Sequence, residues 1–128
     1  MASSNITFLQ NVSDKDLAHL YTTAQALIMP QEEDFGYVAL EAQFFGCPVI
    51  AYNKGGATET ILDETTGMFF DHQNPGDLQK ALEKFERVAY TLQHSTQKKG
   101  PRHVEKFDSK EFETKLMTNL KLPHTSTI

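Results

Sequence analysis

The sequence predicts an α/β fold in which about four parallel strands carry helices on their faces. Short apolar segments alternate with segments of helical periodicity along the chain, and this alternation is typical of a parallel sheet flanked by helices. A length of 128 residues with 39% hydrophobic content fits one globular domain. No apolar run approaches the roughly 20 residues that a membrane-spanning helix needs.

The elements follow from local patterns. Runs of β-branched and aromatic residues predict strands, and apolar residues three or four apart predict helices. Ser13 with Asp16 three residues later resembles a capping box at one helix start, and Asn74 precedes Pro75 at another. The expected order is strand 6–9, helix 14–24, strand 26–29, helix 37–45, strand 48–52, one or two helical turns at 57–62, strand 67–70, a long helix from residue 75, a solvated connector at 97–103 and a last helix from residue 108 or 109.

The charge and the cysteine content exclude several classes of function. The net charge is −5, and the densest basic stretch, residues 97–103, has no interleaved aromatic residues, which argues against nucleic acid as the main partner. Cys47 is the only cysteine, so a disulfide framework and a thiolate metal site are excluded, and a reduced, cytoplasmic setting is favoured. The five histidines are scattered and no Asp-x-Asp triplet occurs, so we expect no bound metal and no cofactor.

Two loops at the carboxyl ends of expected strands carry the candidate binding residues. Ligands of parallel sheets bind at this edge. Residues 30–36 contain Glu33 and precede a helix whose N-terminal N–H groups suit an anion such as a diphosphate. Glu41 follows among apolar neighbours, where a carboxylate needs a partner. The second loop holds Gly55 and Gly56. These groups match the phosphates and hydroxyls of a sugar nucleotide.

A purely structural interpretation stays open for each feature taken alone. Acidic residues at a helix start often only complement the helix dipole. Glu41 would then be a surface residue or part of a salt bridge or cap. A Gly-Gly turn such as Gly55-Gly56 is structural more often than not.

Residues 30–61 resemble the signature of family-four retaining glycosyltransferases, whose two Rossmann-like domains form the arrangement called GT-B. The family pattern is a glutamate, seven residues and a second glutamate, with Phe-Gly between them; Glu33 and Glu41 match it. A Gly-x-Pro-Val-Ile strand follows at residues 46–50, and a Gly-Gly-x-x-Glu segment ends at Glu59. The sequence of residues 32–36 is especially similar to the corresponding segment of GDP-mannose-dependent mannosyltransferases. Residues 5–121 follow the family in order.

The resemblance implies a role for each matched residue. Glu33 would be catalytic and face hydroxyls of the donor sugar, and Glu41 would accept hydrogen bonds from the ribose. Glu59 would hold the Gly55-Gly56 loop rather than touch substrate. The implied donor-binding residues are Glu33, Phe35, Gly36, Tyr37 and Glu41, with the main-chain N–H groups of the middle three facing sugar and phosphate.

The resemblance also implies what the whole enzyme contains. Residues 1–122 would be the C-terminal part of the donor-binding domain, a truncated and partial Rossmann-like sheet, with residues 123–128 a disordered tail. The enzyme would transfer a hexose of mannose or glucose type from a GDP- or UDP-linked donor to a glycan or lipid-linked acceptor, peripheral to a membrane. Because the acceptor domain is missing, we expect this chain alone to be inactive. The alternative is a non-catalytic relative that binds partners or forms a homodimer through exposed sheet edges.

Overall fold

The computed structural model describes residues 5–34 and 37–107. Its elements are α1 (Asp14–Thr23), β1 (Leu27–Met29), α2 (Tyr37–Phe44), β2 (Val49–Tyr52), α3 (Ala57–Thr60), β3 (Gly67–Phe70) and α4 (Pro75–Glu105). Both expected helix caps are present: Asp16 N–H donates to Ser13 Oγ at 3.1 Å, and Asp77 N–H donates to Asn74 Oδ1 at 2.7 Å. No helix within the described ranges has the length and apolar character to cross a bilayer.

The three strands form one parallel sheet in the order β1-β2-β3. Every residue of β2 is buried, because helices cover both faces of this central strand. Val49 and Ala51 join an apolar cluster that includes residues of α1, α2 and α3, whereas Ile50 and Tyr52 join a cluster that includes residues of α4. The predicted α/β class with a parallel sheet and flanking helices is confirmed.

The strand predicted at residues 6–9 is wrong. Residues 6–12 have no helix or strand and are exposed, and Phe8 is 79% accessible. A strand is stabilised by hydrogen bonds to a neighbouring strand, and the outer edge of β1 has no strand paired to it among the described residues. This β-forming sequence therefore remains outside the sheet, which has three strands in the described part of the chain rather than about four.

The solvated connector predicted at residues 97–103 is also wrong, since α4 continues through it to Glu105. Gly100 is buried against α2, and a Cβ built on it would lie 2.2 Å from the carbonyl oxygen of Gln43. Glycine is therefore used here for close helix approach and not as a helix stop. Pro101 lacks an N–H and removes one helical hydrogen bond, but the packing of Val104 against Leu40 holds the segment in place. The last expected helix and the tail lie outside the described residues.

Candidate functional site

The two candidate loops meet at the carboxyl edge of β1 and β2. Glu33 pairs with Gly55 in an isolated parallel bridge, and the Gly56 N–H donates to the Glu33 carbonyl. Gly55 has φ +72°, and a Cβ there would lie 2.4 Å from the Glu33 carbonyl oxygen. Both the left-handed backbone and the close approach require glycine. The expectation that Glu33 and the Gly55-Gly56 turn share one sheet edge is confirmed.

Glu33 is partly exposed at this edge. Gln31 Nε2 donates to Glu33 Oε1 at 2.7 Å, so a neighbouring side chain orients the carboxylate. Glu32 and Asp34 on either side are exposed. No group of three or more His, Cys, Asp or Glu side chains in the described part of the chain is arranged to hold a metal ion. The acidic loop therefore presents a carboxylate to the solvent-facing side, where hydroxyl groups can reach it.

Glu41 lies on the buried side of α2 and is 5% exposed. The hydroxyl of Tyr21, on α1, donates to Glu41 Oε2 at 3.4 Å. Burial, with the adjacent Glu41 charge, raises the pKa of Tyr21 above its ordinary value, so this phenol keeps its proton at neutral pH and remains a donor. Tyr21 falls within the helix predicted at residues 14–24, but a contact between residues 20 positions apart has no local sequence signal.

The side chains near this pair are core residues. Phe45 stacks on the Tyr21 ring with centroids 6.1 Å apart. Cys47 is buried, and that burial raises the pKa of its thiol to about 11. The thiol therefore stays protonated at neutral pH and packs as a small apolar group.

A buried polar network fixes α2 against α3 and the start of β3. Gln43 is fully buried; its Nε2 donates to the Thr60 carbonyl at 2.9 Å, and its Oε1 accepts from Thr66 Oγ1 at 2.6 Å. His103 Nε2 lies 2.9 Å from the same Thr60 carbonyl. Because α2 and α3 each begin at one of the candidate loops, this network sets the distance between the loops. These contacts join residues 17 to 43 positions apart, so no local sequence pattern indicates them.

The remaining predicted site residues are placed as follows. Phe35 and Gly36 lie outside the described residues. Tyr37 is half-buried and begins α2. Glu59 is exposed in the first turn of α3. The Thr58 hydroxyl donates to the Gly55 carbonyl at 2.8 Å and stabilises the loop, while the role of Glu59 stays a prediction.

Comparisons with known proteins agree with this architecture. Residues 1–103 match the family described as Glycosyl transferases group 1. The chain is 42% identical to the human Alpha-1,3/1,6-mannosyltransferase ALG2 over 83 residues, which are 64% of this chain and 20% of that protein. It is 42% identical to a D-inositol 3-phosphate glycosyltransferase of Paenarthrobacter aurescens (strain TC1) over 79 residues, 61% of this chain and 19% of that protein.

These matches cover most of this chain but little of the relatives. The chain spans about a fifth of the length of the curated relatives it matches. The family match includes Glu33, Glu41 and the Gly55-Gly56 turn, and the resemblance to the C-terminal part of a family-four, GT-B glycosyltransferase is confirmed. The chain belongs to the glycosyl transferases group 1 family.

Proposed function

We propose that the chain forms the donor-binding part of a hexosyltransferase that uses a nucleoside diphosphate sugar. The observation that carries this proposal is the pairing of Glu33 with Gly55, which joins the acidic loop to the Gly-Gly loop at the carboxyl edge of the sheet. Parallel sheets bind their ligands at that edge. The family membership and the mannosyltransferase name of one relative support sugar transfer as the chemistry.

Each group of the donor has a proposed partner. The carboxylate of Glu33 faces hydroxyls of the hexose, which suit it because a carboxylate accepts two O–H donors. The start of α2, with the main-chain N–H groups of Phe35, Gly36 and Tyr37, faces the diphosphate. Glu41 accepts from the ribose hydroxyls. The donor is linked to GDP or UDP, and no cofactor enters the proposal.

Transfer itself requires an acceptor site, and the matched relatives are about five times longer than the segment they share with this chain. We therefore expect this chain, assayed alone, to bind nucleotide without catalysing transfer. The acceptor would be a glycan or a lipid-linked sugar, held by the remainder of the enzyme.

The role of Glu33 is tested with a neutral isostere. Glu33→Gln is expected to weaken the binding of a GDP- or UDP-hexose about tenfold, because a charged hydrogen bond to the sugar becomes a neutral one. The same variant should bind GDP or UDP without the sugar as tightly as the parent chain does. Isothermal titration calorimetry with the four ligands measures both.

Glu32→Gln is the matched control, since it removes the same charge from the adjacent, exposed position. It should leave all four affinities unchanged. Equal weakening of nucleotide and nucleotide-sugar by Glu33→Gln would show that Glu33 does not read the sugar. No binding of any ligand by the parent chain would contradict the donor site in this chain.

The outer edge of β1 favours a second candidate function, self-association. Among the described residues no strand pairs with this edge, Ile28 within β1 is 41% exposed, and residues 6–12 expose Phe8 and Leu9. An open strand edge with apolar side chains is an association site, and a two-fold dimer would pair β1 antiparallel with its copy.

Ile28→Lys is expected to shift such a dimer to monomer, because a charge at the interface centre resists desolvation. Sedimentation velocity over a concentration series measures the shift. Tyr90→Lys, which changes an exposed residue of α4, should leave the oligomeric state unchanged. A parent chain that is monomeric at every concentration excludes this second function.

A further inference from the structure

A concave surface, the basic groove, lies along the C-terminal half of α4 and has a volume of about 370 Å³. It is lined by Leu62, Lys98, Lys99, Arg102, His103 and Lys106.

The groove and the donor site lie at opposite edges of the sheet. The Leu62 N–H donates to Thr66 Oγ1 at 3.0 Å, and Thr66 directly precedes β3, so this end of the groove is at the amino edge. Glu33 and Gly55 follow the carboxyl ends of β1 and β2. The basic groove is therefore separate from the proposed donor site, and an inference about it does not depend on the donor assignment.

Among residues 5–34 and 37–107, no carboxylate pairs with a cation of the groove. The two ion pairs in the described part of the chain are His72–Asp77 and Lys84–Glu64, and neither involves a groove residue. All four Lys and Arg side chains of the groove are exposed, although the protein carries a net charge of −5. The groove is thus a concentrated positive surface on an acidic protein.

Helix stability does not account for this arrangement. Lys98, Arg102 and Lys106 are spaced four residues apart, and like charges at that spacing destabilise a helix. Cations in the last turn complement the helix dipole, but this effect falls off within one turn. Lys98 and Lys99 lie more than a turn before the helix end at Glu105 and gain little from it.

Two contacts anchor the floor of the groove. His103 is buried, and its Nε2 lies 2.9 Å from the Thr60 carbonyl oxygen. A carbonyl only accepts, so Nε2 carries the proton in this hydrogen bond. Phe107 packs edge-on against the imidazole with centroids 5.2 Å apart. The groove is held in shape by these contacts, and a preformed concave site lowers the entropic cost of binding a ligand.

We propose that the basic groove is a binding site for a phosphate-bearing anion. A phosphate group offers several oxygen acceptors, which match the ammonium groups of Lys98 and Lys99 and the planar, bidentate guanidinium of Arg102. Leu62 is partly exposed at the rim and can contact an apolar portion of the ligand. Inorganic diphosphate and the headgroup of an anionic phospholipid both present this chemistry.

The test uses the whole chain and two charge-reversal variants. Lys99→Glu/Arg102→Glu inverts two groove cations, and Lys15→Glu/Lys80→Glu inverts two exposed lysines on α1 and α4 outside the groove. Both changes alter the net charge equally, so a general electrostatic effect would appear in both. We expect one pyrophosphate-binding event to be at least about tenfold weaker in the groove variant by calorimetry, because charged hydrogen bonds are lost. Any binding of pyrophosphate at the proposed donor site is the same in the parent chain and in both variants, so it does not affect the comparison. The control variant should bind as the parent does.

Vesicles distinguish the two sources of phosphate. Co-sedimentation is measured with phosphatidylcholine vesicles alone and with vesicles that contain phosphatidylglycerol. The proposal is supported if the groove variant, and not the control variant, loses pyrophosphate binding, phosphatidylglycerol-dependent co-sedimentation, or both. Which of the two is lost identifies the source of the phosphate. Equal behaviour of the two variants, or a parent chain that binds neither probe, overturns it. Circular dichroism of both variants checks that the helices are retained.

Discussion

Gly100→Ala is expected to lower the free energy of unfolding by about 1–3 kcal/mol, the usual cost of overpacking a well-packed interface. The added Cβ would lie 2.2 Å from the carbonyl oxygen of Gln43, which is backbone and cannot move without shifting α2. Alanine is favoured over glycine inside a helix by about 1 kcal/mol. A loss of stability therefore means that the clash outweighs the gain in helix propensity. Thermal and urea unfolding measure it.

The same helix supplies the control. Gly76, near the start of α4, has only Asn74 Oδ1 at 3.4 Å from a built Cβ, an ordinary contact. Gly76→Ala should leave the stability unchanged or raise it slightly. If Gly100→Ala also stabilised the chain, α4 would not pack on α2 as described, and the solvated connector first expected at residues 97–103 would be restored.

This region shows where local sequence rules fail. Gly100 and Pro101 together are typical of a helix stop, and the polar residues around them resemble a connector. The structure continues the helix because Gly100 removes a side chain at the contact with Gln43 and because Val104 packs on Leu40. Both contacts join residues more than 50 positions apart, and no window of local sequence contains them.

The strand prediction at residues 6–9 is wrong for a related reason. Ile6, Phe8 and Leu9 have the composition of a strand, yet a strand is defined by its partner. β-propensity describes how well a side chain fits a pleated surface; it supplies no neighbour. The strands β1, β2 and β3 were predictable because their apolar runs are short, bounded by turn residues and separated by clear helix patterns.

In the candidate site, too, some contacts are predictable from the sequence and others depend on tertiary packing. The meeting of Glu33 with Gly55 follows from the rule that parallel strands end at one edge, so it was predictable once both strands were recognised. The contact between Tyr21 and Glu41 and the bond from Gln43 to Thr60 depend on how helices pack. These contacts could not be predicted from the sequence, because each polar group could equally have faced solvent.

Glu41→Gln is expected to weaken nucleotide binding about tenfold, because charged hydrogen bonds to the proposed ribose hydroxyls become neutral ones. The amide keeps the size of the side chain and an oxygen that accepts from the Tyr21 hydroxyl. The melting temperature should therefore change little. Calorimetric titration of GDP and UDP, with thermal unfolding of the same samples, measures both effects.

Tyr21→Phe separates the structural contribution of this pair from the binding contribution. It removes the hydroxyl that donates to Glu41 Oε2 and retains the carboxylate, so its effect should fall mainly on stability, by about 1 kcal/mol for one buried hydrogen bond. If Glu41 serves only the fold, Glu41→Ala, which removes the oxygen that accepts from Tyr21, would lower the melting temperature. Glu41→Gln and Glu41→Ala would then both leave nucleotide affinity unchanged. That outcome would remove Glu41 from the donor site, because a ribose-binding carboxylate affects affinity even where the fold is intact.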